Sequence, residues 1–173
     1  KDFVKGFIPG SWFIGIDGGF APWVGSLIKD INQKIVTICP EGREEEVVTR
    51  LARVGYDNTV GFLKGSFLSW KKTGRKVDTI IQESAKVLEE KNKKEINILD
   101  VRKPTEYNVE HIESAKNKPL NDLFNHYKEI DKEKKYHIHC AGGYRSVIYI
   151  SILKSKGYKN LIAVSYTHLR AHE

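Results

Sequence analysis

The residues best equipped for chemistry stand together in His139-Cys140-Ala141-Gly142-Gly143-Tyr144-Arg145-Ser146. An apolar strand-like run precedes them and a helical pattern follows, so Cys140 sits where a strand turns into a helix. Glycines in such a turn let successive backbone N–H groups converge into an anion-binding nest. The following helix N-terminus adds partial positive charge to the same point. Arg145 adds a permanent cation. Each effect stabilises a thiolate, the form in which sulfur is nucleophilic. The predicted site has Cys140 as nucleophile and Ala141, Gly142, Gly143, Tyr144, Arg145 and Ser146 as the loop that holds an anion.

Other chemistry-bearing residues carry less. His137 and His139 flank Ile138 and share a strand face, but no third ligand lies near them in sequence, so no metal site is expected. Cys39 and Cys140 form no C-x-x-C and no Cys/His ligand spacing, which argues against a disulfide framework or structural zinc. Trp12, Trp23, Trp70 and Tyr144 have rings able to stack on a ligand, a role that cores and interfaces usually claim first.

The elements that must position Cys140 are written twice. Arg53-Val54-Gly55-Tyr56-Asp57-Asn58 returns as Ser155-Lys156-Gly157-Tyr158-Lys159-Asn160, and Gly6-Phe7-Ile8-Pro9-Gly10-Ser11 is echoed by Glu110-His111-Ile112-Glu113-Ser114-Ala115. A helical pattern precedes each Gly-Tyr, over residues 44–54 and 146–156. A short apolar strand precedes each helix, over 35–39 and 136–140. Matching shifts with matching local patterns point to a tandem duplication. Alternating strands and helices predict α/β units with parallel sheets. Residues 96–101 read as a buried strand, and 58–63 and 160–164 as the strands after the two helices. Residues 77–92 contain a helix by the spacing of Ile81, Ala85 and Leu88. Gly55 and Gly157 fall where a helix end needs a left-handed residue. The polar stretch Thr73-Gly74-Arg75-Lys76 reads as the boundary between copies.

At this point the residues resemble a family. Cys140 to Ser146 looks like the active-site loop of rhodanese domains, the sulfurtransferase modules. Leu99-Asp100-Val101-Arg102 with Glu106-Tyr107 resembles the family's first signature, and His111-Ile112, Asn117 and Pro119-Leu120 its next segment. In the first copy, Gly6-Phe7-Ile8-Pro9-Gly10-Ser11 is similar to the family's Gly-His-Ile-Pro-Gly-Ala, and Gly65-Ser66-Phe67 with Trp70 and Gly74 to its closing helix. The resemblance implies two rhodanese-like domains, each a parallel sheet flanked by helices. Residues 1–76 form the first, expected to lack its opening strand and to be inactive. Residues 77–164 form the second, expected to be catalytic and to lack its last helix. Residues 165–173 do not match the family and read as a foreign tail. The chain, which has no methionine, is expected to begin inside a structural unit.

The resemblance implies that Cys140 takes sulfane sulfur from thiosulfate or a persulfide and passes it to a thiol or to cyanide, with no cofactor. Asp100 and Arg102 would then support the site by hydrogen bonds that organise the fold beside the loop. Cys140 and Arg145 are spaced C-x4-R. Phosphatases and arsenate reductases of this fold use a longer C-x5-R loop, and a smaller ring of N–H groups suits a single sulfur better than a phosphate. The competing readings are a non-catalytic interaction or regulatory module and, behind it, that phosphatase or reductase chemistry. In the first copy, Arg43 aligns with Arg145 and Ile38 with Cys140. Pro40 removes a donor from the would-be nest, and Glu41, Glu44 and Glu45 repel an attacking sulfur anion. Cys39 is expected to be a packed small residue, although a one-residue gap in the alignment would bring it to the loop head. Phe20-Ala21-Pro22-Trp23-Val24-Gly25 and Glu41-Gly42-Arg43-Glu44-Glu45-Glu46 resemble bacterial proteins that fuse a metallo-β-lactamase-type hydrolase to two rhodanese modules, which implies an upstream metallo-hydrolase domain.

Composition narrows the remaining classes. Hydrophobic residues make up 40% of the 173, enough for packed cores and too many for disorder. The net charge of +7 divides into +4 over residues 1–77 and +3 over 78–173. It is interleaved with acids rather than with aromatic residues, so no nucleic-acid partner is expected. Apolar runs are too short for a membrane span, and no apolar leader opens the chain, so a cytoplasmic location is expected.

Overall fold

The fold is described from a computed structural model, in which residues 2–91 and 95–165 are placed. Its centre is the strand that ends at the predicted nucleophile. Tyr136–His139 is buried at every position, as a strand must be when neighbours flank it and both sheet faces are covered. Numbered in chain order, the strands are β1 (Ile35–Thr37), β2 (Thr59–Phe62), β3 (Ile81–Ser84), β4 (Asn97–Asp100), β5 (Ala115–Asn117), β6 (Tyr136–His139) and β7 (Leu161–Ser165). The α-helices are α1 (Phe20–Leu27), α2 (Glu44–Arg53), α3 (Ser66–Lys72), α4 (Ala85–Glu90), α5 (Pro104–Val109), α6 (Leu123–His126) and α7 (Tyr144–Ser155).

Two compact units divide the chain. One comprises Lys1–Phe13 with Asp78–Glu173, the other Ile14–Val77. The larger holds a five-stranded sheet in the order β3-β7-β6-β4-β5, with every pair parallel. Each parallel step needs a crossover, and α7 supplies the one from β6 to β7. Eight consecutive residues of α7, Ser146 to Leu153, are buried. A helix apolar on all sides must be enclosed on all sides, and its outer cover includes the chain's first residues. Trp12 Nε1 donates to Ser155 Oγ at 2.8 Å, and the Phe13 N–H donates to Ser151 Oγ at 2.9 Å. Phe7, only 2% exposed, exchanges backbone hydrogen bonds with Asp78. Residues 1–13, which the repeat assigns to the first copy, thus pack with the second.

The smaller unit pairs β1 and β2 in parallel. Phe20, Val24, Cys39, Val47, Leu51 and Tyr56 form its core. In α2, Glu44, Glu45 and Glu46 open the first turn and Arg50 and Arg53 lie in the last, the charge order that suits the helix dipole. Beyond α2 and α7, Gly55 and Gly157 take φ of +88° and +90°, the left-handed turn expected of them.

The sequence pattern erred around Ile81. The spacing of Ile81, Ala85 and Leu88 suits a helix, but Ile81–Ser84 is an edge strand registered on β7, and only Ala85–Glu90 is helical. Sheet pairing to a segment 80 residues away outweighs local periodicity. The Ser84 side chain accepts from the Val87 N–H and starts α4 there. Ser165 closes β7 opposite Ser84. The remainder of the suspected tail, 166–173, lies outside the described residues.

Candidate active site

β6 delivers Cys140 to the carboxyl edge of the parallel sheet, where ligands of open α/β folds bind. The carbonyl of its last residue, His139, accepts from the Val101 N–H at 3.0 Å, which ties the end of β6 to the segment after β4. Cys140 is 1% exposed, whereas Ala141 and Gly142 are exposed. The sulfur therefore lies at the base of a turn whose rim faces solvent. Gly143, at φ +82°, occupies the cap position of α7, a backbone state open to glycine without penalty. This cap starts α7 at Tyr144, two residues earlier than the sequence pattern suggests.

The turn closes on the sulfur. The Gly143 N–H points at Cys140 Sγ, 3.1 Å away. The Ser146 hydroxyl donates to the Gly143 carbonyl at 3.0 Å, and its oxygen lies 3.7 Å from Cys140 Sγ, within reach of the thiol proton. Ser146 is itself fully buried. A backbone donor, a hydroxyl and the first turn of a 12-residue helix thus converge on one sulfur atom.

Arg145 is anchored by Glu106, which in the sequence stands out only as part of the Glu106-Tyr107 motif. Its two terminal nitrogens donate to the two carboxylate oxygens of Glu106 at 2.6 and 2.8 Å. Glu106 lies in the first turn of α5, behind Pro104, and also accepts from the Lys103 N–H at 3.2 Å. The guanidinium holds the Glu106 carboxyl well below its usual range, at about 2. Glu106 raises Arg145 in turn, burial opposes that rise, and Cys140 adds to it through charge and a hydrogen bond. The capping pattern of α5 is local and visible in sequence; a pairing 39 residues distant leaves no local trace.

Asp100 and Arg102 come together below the loop. Asp100 is completely buried. It accepts from Arg102 Nε at 3.0 Å, from Arg102 Nη2 at 2.6 Å and from the Arg102 N–H at 2.9 Å. Arg102 also reaches the Glu110 carbonyl at 2.7 Å. Asn117 on β5 donates to the carbonyls of Asp100 and Arg102, both at 3.0 Å. His139 Nε2 lies 3.6 Å from Asp100 Oδ2. Burial lowers the His139 pKa against the pull of that carboxylate, so the imidazole is neutral near pH 7. His137 is also buried, with Nε2 3.2 Å from the Lys91 ammonium and 3.4 Å from Glu83.

The counterparts in the smaller unit are arranged differently. Cys39 belongs to the apolar core, and burial, reinforced by Glu44, pushes its thiol up. Arg43 is taken by Asp17, at 2.7 and 2.9 Å, and by Glu46. Three of the four aromatic candidates are likewise engaged. Trp12 is bonded to Ser155, Trp70 Nε1 donates to the Lys76 carbonyl at 2.9 Å, and Tyr144 meets the Phe13 ring edge-on at 5.7 Å.

A parallel α/β sheet with a cysteine at a strand–loop–helix turn defines a class of protein. Within that class, residues 1–73 and 83–166 each match the rhodanese-like domain, and the chain belongs to this family. Among curated proteins it is 33% identical over 69 residues to the Bacillus subtilis protein named "Putative sulfur carrier protein YrkF"; the match spans 40% of this chain and 37% of that relative's length. Among solved structures it resembles a rhodanese-related protein of Thermoplasma volcanium, at 32% identity and a TM-score of 0.45, over 50% of this chain and 84% of the other. A rhodanese-like domain protein of Staphylococcus aureus is 28% identical with a TM-score of 0.40, over 50% and 84%.

Proposed function

We propose that the chain is a sulfurtransferase whose reacting atom is Cys140 Sγ. The observation that carries this reading is the convergence on that sulfur of the Gly143 N–H, the Ser146 hydroxyl and the first turn of α7, with Arg145 beside it. Membership of the rhodanese-like family and a relative named as a sulfur carrier support it. In the first half-reaction the Cys140 thiolate attacks the outer sulfur of a sulfane donor. A Cys140–sulfur bond forms, the donor's own S–S bond breaks, and its electron pair leaves with sulfite or a thiolate. The loop N–H groups hold the terminal sulfur as an anion. In the second half-reaction cyanide or a thiol removes that sulfur and restores the Cys140 thiolate. One covalent intermediate shared by two half-reactions implies ping-pong kinetics.

The short loop favours a lone sulfur over a tetrahedral phosphate. We place the reaction in the cytoplasm, where free thiols persist; both cysteines are free. On the sequence likeness of residues 20–25 and 41–46, the same polypeptide would carry an upstream metallo-β-lactamase-type domain that oxidises persulfides with a metal. Steady-state transfer from a persulfide or thiosulfate to cyanide tests the proposal. Turnover in the parent and its loss in Cys140→Ser are expected. Turnover unchanged in Cys140→Ser, or hydrolysis of an aryl phosphate well above the Cys140→Ser control, overturns it.

A further inference from the structure

The charge beside the reacting sulfur is nearly cancelled before any donor arrives. Both terminal nitrogens of Arg145 are committed to Glu106, and the pair is partly buried, with side chains 18% and 36% exposed. Glu106 is held in place from its other side by the Lys103 N–H at the start of α5. It is therefore a built partner, not a surface side chain that happens to lie near. Arg102, the next guanidinium, is matched in the same way by the buried Asp100. With Cys140 as thiolate, the side chains Cys140, Arg145 and Glu106 sum to one negative charge. Arg145 still meets Cys140 through charge and a hydrogen bond, but with that charge balanced by Glu106 the further attraction for an incoming sulfur anion comes from the loop N–H groups and the first turn of α7, which are partial charges.

We infer that Glu106 is a specificity-determining residue that selects a donor of low charge, an organic persulfide, against a dianion such as thiosulfate. This rests on the sulfur-transfer reading above and names its substrate class. In the step it favours, the Cys140 thiolate attacks the outer sulfur of R–S–SH. A bond from Cys140 Sγ to that sulfur forms, giving Cys140–S–SH, the donor's S–S bond breaks, and R–S⁻ leaves with its electron pair and takes a proton from water. Thiosulfate undergoes the same displacement with sulfite leaving, but it brings two charges to a site already carrying one. Coulomb repulsion opposes the thiosulfate dianion twice as strongly as a persulfide monoanion and does not act on the neutral R–S–SH.

The test compares thiosulfate with the persulfide of 2-mercaptoethanol, whose charge is confined to its sulfur, with cyanide as acceptor. Glu106→Gln keeps an oxygen for the Lys103 N–H and removes only the charge. It is expected to shift the ratio of kcat/KM values toward thiosulfate by about tenfold, the scale of one charge acting across a partly solvated site. Glu106→Asp keeps the charge and is expected to keep the parent's preference, which loss of packing alone would not separate from Glu106→Gln. The parent provides a second measurement: added salt should accelerate thiosulfate turnover more than persulfide turnover, because it screens the larger repulsion. A parent that prefers thiosulfate and shows no such salt effect, or an active Glu106→Gln with an unchanged ratio, overturns the inference while sulfur transfer stands. A parent inactive with both donors overturns the sulfur-transfer reading and this inference with it.

Discussion

Glu106→Gln should weaken the larger unit at neutral pH and not in strong acid. Arg145 draws the Glu106 carboxyl from 4.5 down to about 2. At ~1.4 kcal/mol per pH unit that interval corresponds to about 3–4 kcal/mol. Glu106 is 36% exposed in the pair, so solvent screening reduces the expected contribution to about 1–2 kcal/mol. A carboxyl with a lower pKa folded than unfolded stabilises the fold above the unfolded value, and that stability disappears as pH falls through the folded one. The difference between parent and Glu106→Gln should therefore be full above about pH 5 and should vanish near pH 2. Urea unfolding at a series of pH values measures it, with Trp23 and Trp70 replaced by Phe so that Trp12, bonded to Ser155 in the larger unit, is the reporter. A destabilisation of the same size at pH 3 and pH 7, or one that grows in acid, would refute the assignment of this stability to the ion pair.

Two further substitutions probe the same region. Arg102→Ala strands the fully buried Asp100 carboxylate and should destabilise the larger unit by about 3–5 kcal/mol, more than Asp100→Asn/Arg102→Ala together; a double-mutant cycle by urea unfolding checks the order. Gly143→Ala places a Cβ at φ +82° with Ser165 Oγ 3.9 Å away, so space is adequate and backbone strain alone should lower stability by about 1 kcal/mol. Sulfur-transfer rate should fall with it, because the N–H that meets Cys140 belongs to that residue.

What was legible in the sequence was what neighbours in the chain decide. The strand ending at Cys140, the helix after it and the left-handed glycines past α2 and α7 all follow from local pattern and backbone chemistry. So does the loop, because a nest is built from consecutive residues. Partners far apart were not legible. Ile81 reads as helical until β7 pairs with it, and Phe7 reads as part of the first copy until Asp78 pairs with it. Glu106 acquires its meaning only when α5 brings it to Arg145. Asp100 and Arg102, two positions apart, sit between these cases: their proximity is local, but the complete burial of Asp100 depends on the sheet above it.

Sulfur transfer by this protein requires that Cys140 carry sulfur. Intact-protein mass spectrometry after exposure to an organic persulfide, followed by peptide mapping, measures this directly. The predicted result is a gain of one sulfur atom on the peptide that contains Cys140, removed by cyanide and absent from Cys140→Ser, with Cys39 unmodified in its apolar core. A protein that gains no sulfur, or gains it equally in Cys140→Ser, would contradict the account.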